Sequence, residues 1–250
     1  MSVRAALAAL VALVIPVAGC SSGSKPEGLT VGAGSSLRSA LAESGPTDDG
    51  TLVRFSFAGS DLIAAQIQQG VDIDVFAAAD DELTELLERE GLVGEPVEFA
   101  GNRLVIGVPA DSAIDSVQDL ASDGVDVVVG DPSVPVGAYA REMIGRLAPD
   151  VRDGVLENVR SEEQDATSTA AKLTQGAADA AILYASDLES VEDEIRAVPV
   201  PDGLQPRIAY SAAVVEGTNE PEAAREFIES LVSGERARLL RDAGLLPPPE

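Results

Sequence analysis

The stretch Leu29 to Glu43, LTVGAGSSLRSALAE, constrains the fold most, because an apolar run breaks into Gly and Ser and then resumes at helical spacing. Leu29 and Val31 suit a buried strand, and Gly32 and Gly34 tolerate dihedrals that other residues avoid. Ser35 or Ser36 can cap a helix whose apolar face carries Leu37, Ala40 and Leu41. The first turn of such a helix has unpaired backbone N–H groups and the positive end of the peptide dipoles, so it is a ready site for an anion. A serine at a helix start more often only caps. The chain repeats the device, however, at Phe57-Ala58-Gly59-Ser60-Asp61-Leu62 and again from Gly130-Asp131-Pro132 to Gly137-Ala138-Tyr139. Three glycine-rich strand-to-helix corners point to one shared ligand.

Composition narrows the classes of partner. With 45% hydrophobic residues in 250, the chain can bury a substantial core in one or two domains. Lys and Arg number 17 against 43 Asp and Glu, a formal charge of -26. That argues against a nucleic-acid partner and against electrostatic attachment to an anionic membrane. The absence of His removes the commonest metal ligand and general base, which weakens zinc-hydrolase and Ser-His-Asp readings. The single cysteine, Cys20, follows a basic start (Met1 to Arg4), an apolar run (Ala5 to Val17) and the small residues Ala18 and Gly19. This pattern resembles a bacterial lipoprotein signal, with residues 1–19 removed and Cys20 carrying lipid. Residues 20–28, rich in Ser and Gly, then read as a tether, and no other segment is long and apolar enough to span a bilayer. The expected location is outside the cytoplasmic membrane, on its outer face.

Strand and helix patterns alternate after the tether. Strands are expected at Leu29 to Val31, Leu52 to Phe57, Val71 to Asp80, Leu104 to Val108, Val125 to Val129 and Ala180 to Tyr184. Helices are expected at Ser36 to Glu43, Asp61 to Gln69, Asp81 to Glu90, Gly137 to Leu147 and Asp165 to Gln175. The alternation predicts parallel βαβ units. Ile195 to Val200 and Arg207 to Val215 read as further strands, and Pro221 opens a last amphipathic helix followed by a shorter one from Glu235 to Asp242. Two βα clusters joined by two long strands predict a two-lobed α/β protein. Lobe 1 takes residues 29–103 and 208–250, and lobe 2 takes 104–207.

Seven phrases, in order, resemble the molybdate-binding component of bacterial ABC importers, a periplasmic-type substrate-binding family. They are GAGSSL (32–37), SFAGSDLIAAQIQQG (56–70), DIDVFAAAD (72–80), GNRLVIGVP (101–109), VVGDPSVPVGAYARE (129–142), ILYASD (182–187) and YSAAVVEGT (210–218). The resemblance implies the type II periplasmic-binding-protein fold and capture of molybdate, with tungstate as a near-identical ion. It implies a set of neutral donors: the hydroxyl and backbone N–H of Ser36, the hydroxyl of Ser60, backbone N–H groups at Val136 and Ala166, and the phenol of Tyr184. The oxyanion would be held through its oxygens, with no direct protein–metal ligand, no cofactor and no enzymatic role. The implied partners are a membrane permease and, through lipid on Cys20, the membrane itself, with a monomeric protein and no nucleic acid. Where the family often has Ser or Thr, this chain has Asp61, which could accept a proton from a protonated anion.

Neutral donors suffice on physical grounds. A hydrogen bond to a charged group contributes about 1.5 to 3 kcal/mol, so five to seven donors reach the roughly 8 kcal/mol of micromolar binding. Screening over about 8 Å keeps surface carboxylates from opposing such short-range contacts. The alternatives are a receptor for sulfate, phosphate or an organic acid, for which Arg38, Arg54, Arg103 and Arg141 are the nearest guanidinium candidates, and an enzyme acting on an anionic substrate. The latter lacks His and a P-loop lysine after Gly32-Ala33-Gly34-Ser35-Ser36.

Overall fold

The computed structural model describes residues 28–188 and 194–249. The expected signal peptide, Cys20 and the tether up to residue 27 lie outside the described residues. In chain order come β1 (Leu29–Gly34), a 3-10 turn (Ser35–Leu37) running into α1 (Arg38–Leu41), β2 (Val53–Ala58), α2 (Ser60–Gln68), β3 (Val75–Ala78), α3 (Glu82–Arg89) and β4 (Val97–Gly101). The chain continues through β5 (Leu104–Pro109), β6 (Val127–Gly130), α4 (Pro135–Gly145), α5 (Pro149–Asn158), β7 (Val159–Glu163), α6 (Ala166–Thr174), β8 (Ala180–Tyr184), α7 (Ala185–Leu188) and β9 (Ile195–Pro199). It returns in β10 (Ala209–Val214) and closes with α8 (Pro221–Ser233) and α9 (Glu235–Asp242).

Two five-stranded sheets result, ordered β2-β1-β3-β10-β4 and β7-β6-β8-β5-β9. The expected parallel units form around β1, which pairs in parallel with β2 and β3, and around β6, which pairs in parallel with β7 and β8. Neither sheet is wholly parallel. β10 runs antiparallel to β3 and β4, and β5 runs antiparallel to β8 and β9. The reason lies in the connections: β5 and β10 each follow a passage from the other sheet, and a strand entering where the parallel strands end has to run against them. Those passages, between Gly101 and Leu104 and between Pro199 and Ala209, place the hinge beside the carboxyl ends of the parallel strands.

Both faces of each sheet are covered, as the period-2 alternation of strand side chains shows. In β3, Val75 and Ala77 join the largest apolar cluster while Phe76 and Ala78 join a second one with Ile63, Ile67 and Leu87. In β8, Ala180, Ile182 and Tyr184 face the large cluster while Ala181 and Leu183 face a third with Leu173 and Ile195. At the end of β8 the Tyr184 ring meets that of Tyr210, on β10 of the other sheet. Helix α5 and strand β4 carry weaker sequence signals than their neighbours. Gly154 lies inside α5, where a Cβ would come within 2.9 Å of Ala121 on a 3-10 turn at Val117–Ala121. β4 is a sheet edge with only Phe99, Ala100 and Gly101 buried. Among the described residues, no helix is long and apolar enough to cross a membrane.

Candidate functional site

In the lobe built on β1, the two corner serines do not cap. Gly34 and Gly59 hold the N-cap positions before the 3-10 turn and α2, and neither start has a side-chain cap. The hydroxyls are engaged differently. Ala79 N–H donates to Ser60 Oγ at 3.0 Å, and Tyr210 O–H donates to Ser36 Oγ at 3.0 Å. Both serines are buried, and each keeps one hydroxyl proton to offer elsewhere. Gly34 sits where a Cβ would lie 3.1 Å from Ser60 Oγ, which packs the two corners against each other.

The other lobe supplies helix starts from its own corners. A Cβ on Gly137 would fall 1.9 Å from the Asp131 carbonyl oxygen, so only glycine allows α4 to begin this tightly against the end of β6. Pro135, which has no N–H, and Val136 form the first turn, where the Val136 N–H has no intrahelical acceptor. At α6 the cap is Asp165, whose Oδ1 accepts from Ser168 N–H at 2.7 Å, leaving the Ala166 N–H without an intrahelical partner.

These parts meet around one small cavity lined by Gly34, Ser35, Ser36, Gly59, Ser60, Ala79, Val134, Pro135, Val136, Asp165, Ala166 and Tyr184. Together with its open mouth it holds about 220 Å³ free of protein atoms. The space suits a small compact ligand and excludes an extended one. The Tyr184 hydroxyl is buried with no hydrogen-bond partner in the protein. An orphaned buried hydroxyl costs about 1 to 3 kcal/mol, so a ligand oxygen that accepts its proton would recover that loss.

All three tyrosines of the chain stack edge to face behind the cavity. Tyr139 and Tyr184 lie 6.4 Å apart and Tyr184 and Tyr210 lie 5.8 Å apart, bridging the lobes. Burial holds the phenol pKa values of Tyr184 and Tyr210 above the usual range, with the other tyrosine hydroxyl (for Tyr184) and Asp187 (for Tyr210) adding to the effect. Both therefore stay protonated donors. Two carboxyl groups flank the stack, Asp80 buried and Asp187 half-buried. Desolvation raises Asp80 to about 7 against a hydrogen bond from Leu83 N–H, and raises Asp187 to about 7 against one from Tyr184 N–H.

All five residues expected from the sequence, Ser36, Ser60, Val136, Ala166 and Tyr184, are brought to this one lining. The arginines weighed for an organic acid are elsewhere. Arg38 stacks over Phe57, Arg54 donates to the Gly28 carbonyl, Arg103 pairs with Asp202, and Arg141 pairs with Glu162. Asp61 is not on the lining. Its carboxyl pKa is raised by burial and by Asp131 and Asp165 across the cleft, and its Oδ1 has no partner. Asp165, the acidic residue on the lining, is committed to its helix cap. Tyr210 and Asn102 escaped assignment from the sequence, although they fall within two of the phrases that carry the family resemblance, at 210–218 and 101–109. Among the described residues, no group of three or more His, Cys, Asp or Glu is placed to hold a metal ion.

Comparison with known proteins agrees with this architecture. The family model described as "Bacterial extracellular solute-binding protein" matches residues 29–246. The molybdate-binding protein ModA of Mycobacterium tuberculosis is 34% identical over 96% of this chain and 95% of its own length. A putative ABC transporter substrate-binding lipoprotein, YvgL, of Bacillus subtilis is 29% identical over 95% of each chain. Among solved structures, the Azotobacter vinelandii periplasmic molybdate-binding protein superposes with a TM-score of 0.76, covering 88% of this chain and 100% of that one at 20% identity, a likeness of fold.

Proposed function

The chain belongs to the bacterial extracellular solute-binding protein family, and from that premise we propose that it captures molybdate, and tungstate as well, for an ABC importer. The observation that carries the reading is the buried, partnerless Tyr184 hydroxyl on a small cavity to which Ser36 and Ser60 each bring an uncommitted proton. The oxyanion sits between the lobes, held by those three hydroxyls and by the first-turn N–H groups of Val136 and Ala166. No formal cation takes part. The α2, α4 and α6 starts add the positive ends of their peptide dipoles.

Five donors to a dianion contribute about 7.5 to 15 kcal/mol in gross terms, and the upper half of that range exceeds the roughly 8 kcal/mol of micromolar binding with a surplus to set against closing the lobes. A smaller ion such as sulfate cannot reach every donor, and each one missed stays buried and unsatisfied. The protein acts as a carrier with no chemical step. It is anchored by lipid on Cys20 to the outer face of the cytoplasmic membrane, works as a monomer, and hands its ion to a permease; the similarity to a lipoprotein relative supports the anchor.

Titration calorimetry with molybdate, tungstate, sulfate and phosphate tests the reading. The first two bind with micromolar or lower Kd and the others at least about 100-fold more weakly, the loss of one to two charged hydrogen bonds. Failure of molybdate and tungstate to bind removes it.

A further inference from the structure

The hydroxyl of Ser36 is the near end of a buried chain that reaches the hinge. Behind it stands Tyr210, near the start of β10, whose O–H donates to Ser36 Oγ at 3.0 Å. Asn102, in the passage between β4 and β5, donates from Nδ2 to Tyr210 Oη at 3.2 Å and to Ser186 Oγ at 2.8 Å. Its amide cannot be turned round. Oδ1 accepts from the Arg103 backbone N–H at 2.9 Å, and a backbone N–H is only a donor. All four side chains of the chain are buried: Asn102 is 6%, Tyr210 0%, Ser186 1% and Ser36 5% exposed.

The direction of every proton follows from that fixed end. With Asn102 donating to its oxygen, Tyr210 gives its own proton to Ser36. Ser36 then has one proton left, and it points away from Tyr210. Ala79 N–H imposes the same polarity on Ser60. We propose that Asn102 and Tyr210 are positioning residues that lock Ser36 as a donor and so restrict the site to anions whose oxygens are all acceptors.

This role rests on the oxyanion reading above. A tetrahedral dianion carrying one O–H, such as monohydrogen arsenate, brings a proton of its own, and the two serine oxygens, already accepting from Tyr210 and Ala79, are turned to donate to it rather than to take that proton. Because Asn102 also holds Ser186 of the other lobe, the polarity is established by the same group that ties the lobes at the hinge. Hydrogen bonds in such a chain polarise one another, which strengthens the terminal Ser36 donor.

The test is a double-mutant cycle read by calorimetry with molybdate and with monohydrogen arsenate at mildly alkaline pH. Tyr210→Phe lowers molybdate affinity about tenfold and narrows the molybdate-to-arsenate ratio by about the same factor. In a Ser36→Ala background, Tyr210→Phe has no further effect on either. Asn102→Ala attacks the far end and narrows the ratio in the same sense, which keeps the proposal testable if the tyrosine variant folds poorly. An equal loss in both Ser36 backgrounds, or an unchanged ratio, overturns the proposal. So does a wild-type protein that takes arsenate as tightly as it takes any fully deprotonated oxyanion. Wild type that binds sulfate but neither molybdate nor tungstate refutes the assigned ligand alone, and the cycle is then run with sulfate.

Discussion

Replacing Tyr184 by Phe separates binding from folding, because the two effects have opposite signs. The substitution removes one oxygen and keeps the ring that packs 6.4 Å from Tyr139 and 5.8 Å from Tyr210. In the ligand-free protein the Tyr184 hydroxyl is buried without a partner. Deleting it removes a desolvation penalty of about 1 to 3 kcal/mol, an upper figure if opening of the lobes wets the group. For a chain of this length each kcal/mol moves Tm by about 2 to 4 °C, so the unliganded variant melts a few degrees higher. In the complex the same hydroxyl donates to a dianion, and its loss costs about 1.5 to 3 kcal/mol, or roughly 10- to 150-fold in Kd. Calorimetry gives the second quantity and thermal melts without and with saturating molybdate give the first. The ligand-induced rise in Tm shrinks from both ends. A variant that binds within twofold of wild type, or that melts several degrees lower when unliganded, would refute the reasoning, since the hydroxyl would then be satisfied inside the protein.

Other expectations follow from neighbouring geometry. Gly59→Ala adds a Cβ 2.5 Å from Asp61 Oδ1 and 2.8 Å from the Gln164 carbonyl oxygen of the other lobe, at backbone angles any residue accepts; small-angle scattering should show ligand-induced compaction lost while the unliganded Tm changes little. Ser36→Asp sets a carboxylate against the oxyanion, and calorimetry should detect no molybdate binding. Asp80 and Asp187 titrate near 7, above the ordinary 3.8, because burial favours their neutral forms. Between those limits the folded chain holds protons that the unfolded chain has released, so stability falls as pH rises from about 4 to about 7. Melts should therefore show Tm dropping from pH 5 to pH 8, with a shallower slope in Asp187→Asn; a Tm that climbs over this range contradicts the burial argument.

Local pattern determined a large part of this protein. The Gly-Ser corners, the βα alternation and the composition pointed to a two-lobed α/β chain with helix starts ready for an anion, and the family phrases added Ser36, Ser60, Val136, Ala166 and Tyr184, because helix starts and strand ends are set by residues a few positions apart. Other features depended on distant segments. The antiparallel course of β5 and β10 comes from the direction in which the chain re-enters each lobe, which no local spacing encodes. Ser36 and Tyr210 are separated by 174 positions and Asn102 and Tyr210 by 108, so the hydroxyl's donor polarity is decided by the packing of the hinge. Proximity in the chain assigns a backbone donor, whereas the direction of a side-chain proton depends on what the tertiary structure places behind it.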